Sequence, residues 1–332
     1  MHNHNILFEE VEKPYNFCQE YKPVELLSKE ERRTFHGIVR EDGSVATRNY
    51  IGVLIAGNCA ATAARKVADY FTEERMKEYP NVDGVVPFIT GIGCGMEMTG
   101  EPMDMLRRTM AGYIRNPNIY GTVVMALGCE RNNIDTFFEK MGLKEGEKLA
   151  RIVLQEVGGT KNAIELGISA VRKMLPKANE IIRKPVSVEH LVVGLQCGGS
   201  DGFSGLSANP ALGKAVDQLV KNGGTAILAE VSELFGVEHT FTCRAKSREV
   251  GEKLIERMNW WLEYNKGKDT QINGKVSPGN SKGGLSNVLD KSLGGSKKGG
   301  STPLNAVYEY AEPVTEKGLV IMDSPGFDPV SV

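Results

Sequence analysis

Hydrophobic residues in this chain fall into short, near-continuous runs separated by amphipathic stretches. Residues 50–56 are apolar almost throughout, which predicts a strand buried on both faces. Residues 60–79 follow with Ala63, Val67, Tyr70 and Phe71 on one face and charges opposite, which predicts a helix. The alternation continues with strands at 82–89, 122–127 and 151–155 and helices at 102–115 and 134–141. Pro102 suits a first helical turn. Ile164, Ile168, Val171 and Leu175 mark a further helix, which Pro176 is expected to bend.

Lys184-Pro-Val-Ser187 then interrupts the pattern, and it restarts. Strands are predicted at 191–195 and 225–229, and a helix at 210–220. Val250, Leu254, Met258 and Trp261 form the apolar stripe of a helix over 250–264. Residues 272–303 are rich in glycine and read as irregular; 319–322 read as a last strand. Strands alternating with helices predict an α/β fold: two doubly wound, flavodoxin- or Rossmann-like domains with mostly parallel sheets. The expected division is a lead-in linker at 1–36, a first domain at 37–186 and a second at 187–332. A doubly wound domain rarely closes on a strand and a loop, so a truncated chain or one subunit of a split enzyme is expected.

The 332 residues suit about two domains. A net charge of -2 gives no surplus for a phosphate backbone, and 7% aromatics argues against base stacking, so nucleic acid is excluded as partner. No run approaches the roughly 20 apolar residues of a membrane span. The N-terminus lacks the features of a signal peptide, so a cytoplasmic protein is expected. In that compartment six cysteines are thiols, metal ligands or catalytic groups rather than a disulfide scaffold.

Four of those six close apolar runs: Cys59, Cys94, Cys129 and Cys197. Ligands of open parallel sheets bind beyond the carboxyl ends of the strands. Parallel strands would therefore put four thiols along one rim, where they suit a soft metal or an iron–sulfur cluster. Each also fits a packing role as a small hydrophobe.

Cys197-Gly-Gly-Ser-Asp-Gly-Phe-Ser-Gly-Leu-Ser-Ala-Asn-Pro210 is the densest polar loop. Its amides can cradle an anion, Asp201 can act as ligand or base, and Ser200, Ser204 and Asn209 can bind hydroxyls. Ser277-Pro-Gly-Asn280, Lys282 and Lys297-Lys-Gly-Gly300 suit carboxylate binding or a solvated loop. Gly91-Ile-Gly-Cys-Gly-Met96 lacks the third glycine of a dinucleotide fingerprint. Arg48 suits a carboxylate clamp but stands at the amino end of its strand. Glu130, Glu230 and Glu233 stand at strand ends or in the following loop, where carboxylates suit a hard cation. His2 and His4 form a terminal pair.

At these segments the chain resembles the altronate dehydratase and galactarate dehydratase family. The matching residues are Phe35-His-Gly-Ile-Val-Arg-Glu-Asp-Gly43 with Thr47-Arg-Asn49, Gly93-Cys-Gly95, Ala111-Gly-Tyr-Ile-Arg-Asn-Pro-Asn118, and Leu127-Gly-Cys-Glu130. They continue through the 197–210 loop, Ala229-Glu-Val-Ser-Glu-Leu-Phe-Gly-Val-Glu238, Ser277-Pro-Gly-Asn280 and Lys297-Lys-Gly-Gly300. The 197–210 and 229–238 stretches look closer to the altronate enzymes.

The resemblance implies a hydro-lyase that converts altronate, or a related hexonate or hexarate such as galactarate, to a 2-keto-3-deoxy acid. It implies a divalent metal, Fe(II) foremost, with Mn(II) or Mg(II) as substitutes. The implied roles are Cys59, Cys94, Cys129 and Cys197 for the metal, and Asp201, Glu230 and Cys197 for catalysis. Arg48, Ser200, Ser204, Asn209, Asn280 and Lys282 are implied for substrate polar groups. Family members carry a small N-terminal β-rich domain, of which His2-Asn-His4-Asn5 resembles the tail, so that domain is expected to be missing or a separate chain. A homo-oligomer is also expected. The alternatives of another class are an iron–sulfur redox protein and a non-catalytic subunit.

Overall fold

A computed structural model describes residues 16–267 and 276–324. The chain divides into two compact units. The first unit is Arg32–Leu191 with Tyr310–Val314, and the second holds Val192–Glu309, residues 315–324 and the lead-in at 16–31.

The first unit opens with β1 (Thr34–Val39) and β2 (Val45–Ala46), followed by β3 (Tyr50–Ile55), α1 (Ala61–Tyr70), α2 (Glu73–Met76), β4 (Gly84–Phe88) and α3 (Glu101–Arg115). It continues with β5 (Ile119–Ala126), α4 (Ile134–Met141), β6 (Leu149–Val153), α5 (Thr160–Asn179) and β7 (Lys184–Ser187). The main sheet has the order β4-β3-β5-β6, and every pairing is parallel. Its two faces separate by the two-residue period of a strand. Ile51, Val53, Ile55, Val123 and Met125 pack with α1 and α5 through Ala63, Val67 and Val171. Leu54, Ala56, Val124 and Ala126 pack with α3 and α4 through Met110, Ala111 and Phe137. Both faces are covered, as a near-continuous apolar run requires.

Local signals explain the best-defined element. The Asn133 side chain accepts the Asp135 and Thr136 amides to start α4, and Gly142, with φ +62°, ends it. The helix predicted over 60–79 instead stops at Tyr70 and is followed by the short α2. α5 runs through Pro176, whose neighbours Leu175 and Ala178 are buried in the core. The 184–187 segment is β7, not a bare connector. It pairs antiparallel with β1, placing His36 opposite Pro185, in a three-stranded sheet β2-β1-β7.

The second unit adds β8 (Val192–Leu195), α6 (Ala208–Lys221), β9 (Thr225–Leu228), α7 (His239–Thr242) and α8 (Arg248–Asn265). α9 (Pro278–Lys282), α10 (Val288–Ser296), β10 (Leu304–Tyr308) and β11 (Gly318–Met322) follow. The sheet β10-β11-β9-β8 is again wholly parallel. Leu319, Val320 and Ile321 are all fully buried, so this sheet too is covered on both faces. The lead-in is anchored on its own unit: the Cys18 amide donates to the Thr242 carbonyl and the Leu27 amide to that of Lys221. Two helices, α9 and α10, stand inside the stretch that reads as irregular. Side chains of Ser277 and Asn287 cap them. Among the described residues no helix is long and apolar enough to cross a membrane.

Glycine permits one decisive contact. A Cβ on Gly213 of α6 would lie 2.1 Å from the Lys297 carbonyl oxygen. Gly213→Ala is therefore expected to cost about 2–3 kcal/mol of stability. Gly112→Ala, in α3 with nothing within 4 Å of the new methyl, is expected to add up to about 1 kcal/mol. Paired urea titrations check both; equal effects at the two positions would refute the packing argument.

Candidate functional site

Three of the four strand-ending cysteines share the first unit. Cys59 follows β3, Cys94 follows β4 and Cys129 follows β5, and all three are exposed. The Cys94 thiol approaches the Cys129 carbonyl at 3.9 Å. Desolvation, then the neighbouring Cys94, Glu130 and Cys59, push the Cys129 thiol upward. Crowded groups that all become anionic resist ionisation together, and a cation among them reverses that effect. The fourth thiol, Cys197, follows β8 in the other sheet, so the expected single rim of four divides into three strand ends in one unit and one in the other. It sits 2.9 Å from the Ser200 hydroxyl. Among the described residues, no three His, Cys, Asp or Glu side chains are gathered tightly enough to hold a metal ion.

Glu130 beside Cys129 is a backbone clamp. It is buried, and its carboxylate accepts the Leu127 and Gly128 amides. Gly57 is needed opposite it, because a Cβ there would lie 2.6 Å from Glu130 Cγ. Arg48 is brought to neither the thiols nor the polar loop. It pairs with Asp83 at 3.3 Å, at the amino end of β3. The histidine pair at 2 and 4 lies outside the described residues.

The second unit carries a cavity of about 310 Å³ between the 198–209 loop and α10. Ser200, Asp201, Ser204 and Asn209 line one side, and Lys291 and Lys297 the other. Asp290 also faces it, tied to the Ser286 hydroxyl. Glycines let the two walls meet at backbone distance. A Cβ on Gly205 would lie 2.9 Å from Gly294 Cα, and the Gly202 amide donates to the Gly283 carbonyl at 2.9 Å. The Asn209 amide group donates to the Gly294 carbonyl at 3.0 Å. Asn280 stands behind the wall and donates to the Ser200 carbonyl at 2.8 Å. Lys282 is exposed and does not line the cavity.

Asp201 shapes its own loop. Its Oδ1 accepts the Phe203 amide, the Ser204 amide and the Ser204 hydroxyl. Those bonds, the Ser204 hydroxyl first, hold its carboxyl below the usual carboxylate range. Asp201 is therefore ionised at neutral pH, a good acceptor of hydroxyl hydrogen bonds and a weakened base.

Behind the α10 wall lies a buried charge cluster. Glu230 opens the turn after β9 and pairs with Lys298; their side chains are 1% and 5% exposed. Glu233 pairs with Lys291 at 2.7 Å. These carboxylates are committed to ammonium groups rather than open to a hard cation. Glu230 Oε2 has no hydrogen-bond partner among the described residues. Burial pushes the Glu230 carboxyl up to about 7, against the pull of Lys298. Lys298 reaches it because the turn it begins is fastened to α6. Asp217 accepts the Ser301 amide and hydroxyl and the Thr302 amide. Gly300, at φ +56°, leaves room where a Cβ would lie 2.4 Å from Asp217 Oδ1.

Lys291 was not legible as a site residue, because its helix is hidden in glycine-rich sequence. The spacing Lys291, Gly294, Lys297 across one helix and its exit was the available signal.

Known proteins match along this whole stretch. Residues 37–179 match the family described as D-galactarate dehydratase/Altronate hydrolase, second domain. Residues 188–332 match D-galactarate/Altronate dehydratase, C-terminal. Altronate dehydratase of Bacillus subtilis (strain 168) is 34% identical over 90% of this chain and 59% of its own length. Galactarate dehydratase (L-threo-forming) of Escherichia coli (strain K12) is 36% identical over 89% of this chain and 58% of its own length. The (2R)-sulfolactate sulfo-lyase subunit beta of Chromohalobacter salexigens is 30% identical over 88% of this chain and 72% of its own length. The chain thus spans a little under three-fifths of the two dehydratases.

Glu230 makes stability depend on pH. Its folded pKa of about 7 lies above the ordinary 4.5, so the folded state holds the proton more tightly. The resulting stability is present below the unfolded value and is lost as pH rises through 7. Wild type is expected to lose about 3 kcal/mol more than Glu230→Gln between about pH 5 and pH 8. Denaturant melts across that range check it; parallel curves would refute the shift.

Proposed function

The chain belongs to the D-galactarate/altronate dehydratase family, and from that premise we propose that it takes part in dehydrating a sugar acid. Altronate is the first candidate, and a related hexonate or hexarate such as galactarate the second. The observation that carries this reading is the cavity of the second unit. It offers two ammonium groups, two carboxylates, an amide and serine hydroxyls. A phosphate site would present cations and amides without carboxylates. A polyhydroxy acid needs the mixture: Lys291 and Lys297 for its carboxylate, and Asp201, Asn209, Ser200 and Ser204 for its hydroxyls. The relatives named as dehydratases release water and the one named as a sulfo-lyase releases a sulfur group, and both are eliminations.

In the reaction the C2–H bond breaks and its electron pair forms the C2–C3 double bond. The C3–O bond breaks, and the departing hydroxide leaves as water with the proton. The enol then becomes the 2-keto-3-deoxy acid. Of the residues implied for catalysis, Asp201 is on the wall, and its lowered basicity suits hydroxyl binding better than proton abstraction. Glu230 has the proton affinity for acid–base work but stands behind the wall. Cys197 touches Ser200, one residue removed from the cavity lining.

Iron is the proposed metal, with Cys59, Cys94 and Cys129 as its donors in the first unit. Thiolates suit Fe(II) and not Mg(II), whose preferred ligands are oxygens. Bound iron would act as a Lewis acid that polarises the leaving hydroxyl. The three neighbouring thiols match that donor chemistry without closing a ligand set, so no step above is routed through the metal. The dehydratases are longer than this chain, so a further domain or separate chain is proposed as partner.

Two measurements test the reading. Anaerobic incubation with Fe(II) and altronate or galactarate is expected to give a keto-deoxy acid detected by thiobarbiturate; no product from any hexonate or hexarate, with the partner region supplied, refutes it. Replacing Cys94 or Cys129 by Ser is expected to lower bound iron at least tenfold by elemental analysis while the melting curve stays in place. Unchanged iron removes these thiols from the metal site.

A further inference from the structure

The cavity and the buried charge cluster meet at one residue. Lys291 lines the cavity and pairs at 2.7 Å with Glu233, which lies within electrostatic reach of Glu230 and so of Lys298. We propose that these four side chains form one charge-regulated anchor, in which Lys291 holds the carboxylate of the sugar acid and Glu230 sets how positive that anchor is. This rests on the sugar-acid reading above.

The groups facing Glu230 are Lys298 from the turn after α10, Glu233 from the segment after β9, and Lys291 from α10. With Glu230 protonated, the four carry two positive charges and one negative charge. With Glu230 ionised, they sum to zero. A carboxylate arriving at Lys291 therefore meets a net attraction in the first state and none in the second. Glu230 is too buried to touch the ligand and acts only through Lys291, as a positioning residue; Glu233 holds the Lys291 ammonium on the cavity wall. Asp201 stays ionised well below neutrality, so it adds no step of its own. The pH at which the anchor changes is set by the burial of Glu230, opposed by Lys298.

The test uses the 332-residue chain and a hexonate lacking the 3-hydroxyl, which binds without losing water. Titration calorimetry from about pH 6 to about pH 8.5 is expected to show affinity falling about five- to tenfold in wild type. Glu230→Gln is expected to bind at the tight end throughout, with no step. Glu230→Asp keeps a titrating carboxyl and is expected to keep a step. Lys291→Met is expected to bind at least tenfold more weakly at every pH.

A flat wild-type profile, a step retained in Glu230→Gln, wild-type binding by Lys291→Met, or no binding by the wild type overturns the proposal. The wild-type profile decides the matter even where a variant fails to fold. A step in binding with no keto-deoxy product from any sugar acid supports the anchor and sinks the dehydratase reading. Product formation with flat binding does the reverse.

Discussion

A carboxylate and an ammonium group withdrawn together from water constrain everything around them. Glu230 and Lys298 are both almost fully buried, and burial makes the Glu230 carboxyl costly to ionise even beside the Lys298 ammonium. The pair exists only because the turn at 297–302 lies directly on α6. That approach requires a missing Cβ at Gly213 and at Gly300, and Asp217 to receive the turn's amides and hydroxyl. Backbone packing by glycine therefore decides where the second unit stores its charge.

The two units use the same architecture for different ends. Each is a parallel sheet whose connecting loops emerge beyond the carboxyl ends of the strands, the place where such sheets carry chemistry. In the first unit those loops present soft, exposed sulfur donors. In the second they build a cavity of mixed charge. A sulfur set favours a transition metal, and a mixed polar wall favours a hydroxy acid. Both fit an elimination next to a carboxylate.

The strands of the main sheets were legible where burial on both faces makes the apolar run continuous, as in Tyr50–Ile55 and Gly318–Met322. β1, β2, β7 and β10 were not read as strands. They mix buried with partly exposed residues, so no continuous apolar run marks them, and β1 and β7 pair with each other from opposite ends of the first unit's sequence. α9 and α10 escaped for another reason. Their glycines lower helix propensity, and tertiary contacts such as Gly205 against Gly294 compensate. Among the residues that line the cavity, Ser200, Asp201, Ser204 and Asn209 were legible because one contiguous segment holds them all. Arg48 fell away because its strand end faces Asp83.

The sequence alone determined the βα alternation, the placement of a thiol after each of four strands, and the family, because these are local or contiguous patterns. Tertiary structure decided that the four thiols divide between two sheets, that Glu230 and Glu233 face ammonium groups rather than a cation, and that Lys291 reaches the cavity. Those outcomes depend on which distant segments share a desolvated space. Desolvation is a property of the packed interior, and no run of neighbouring residues encodes it.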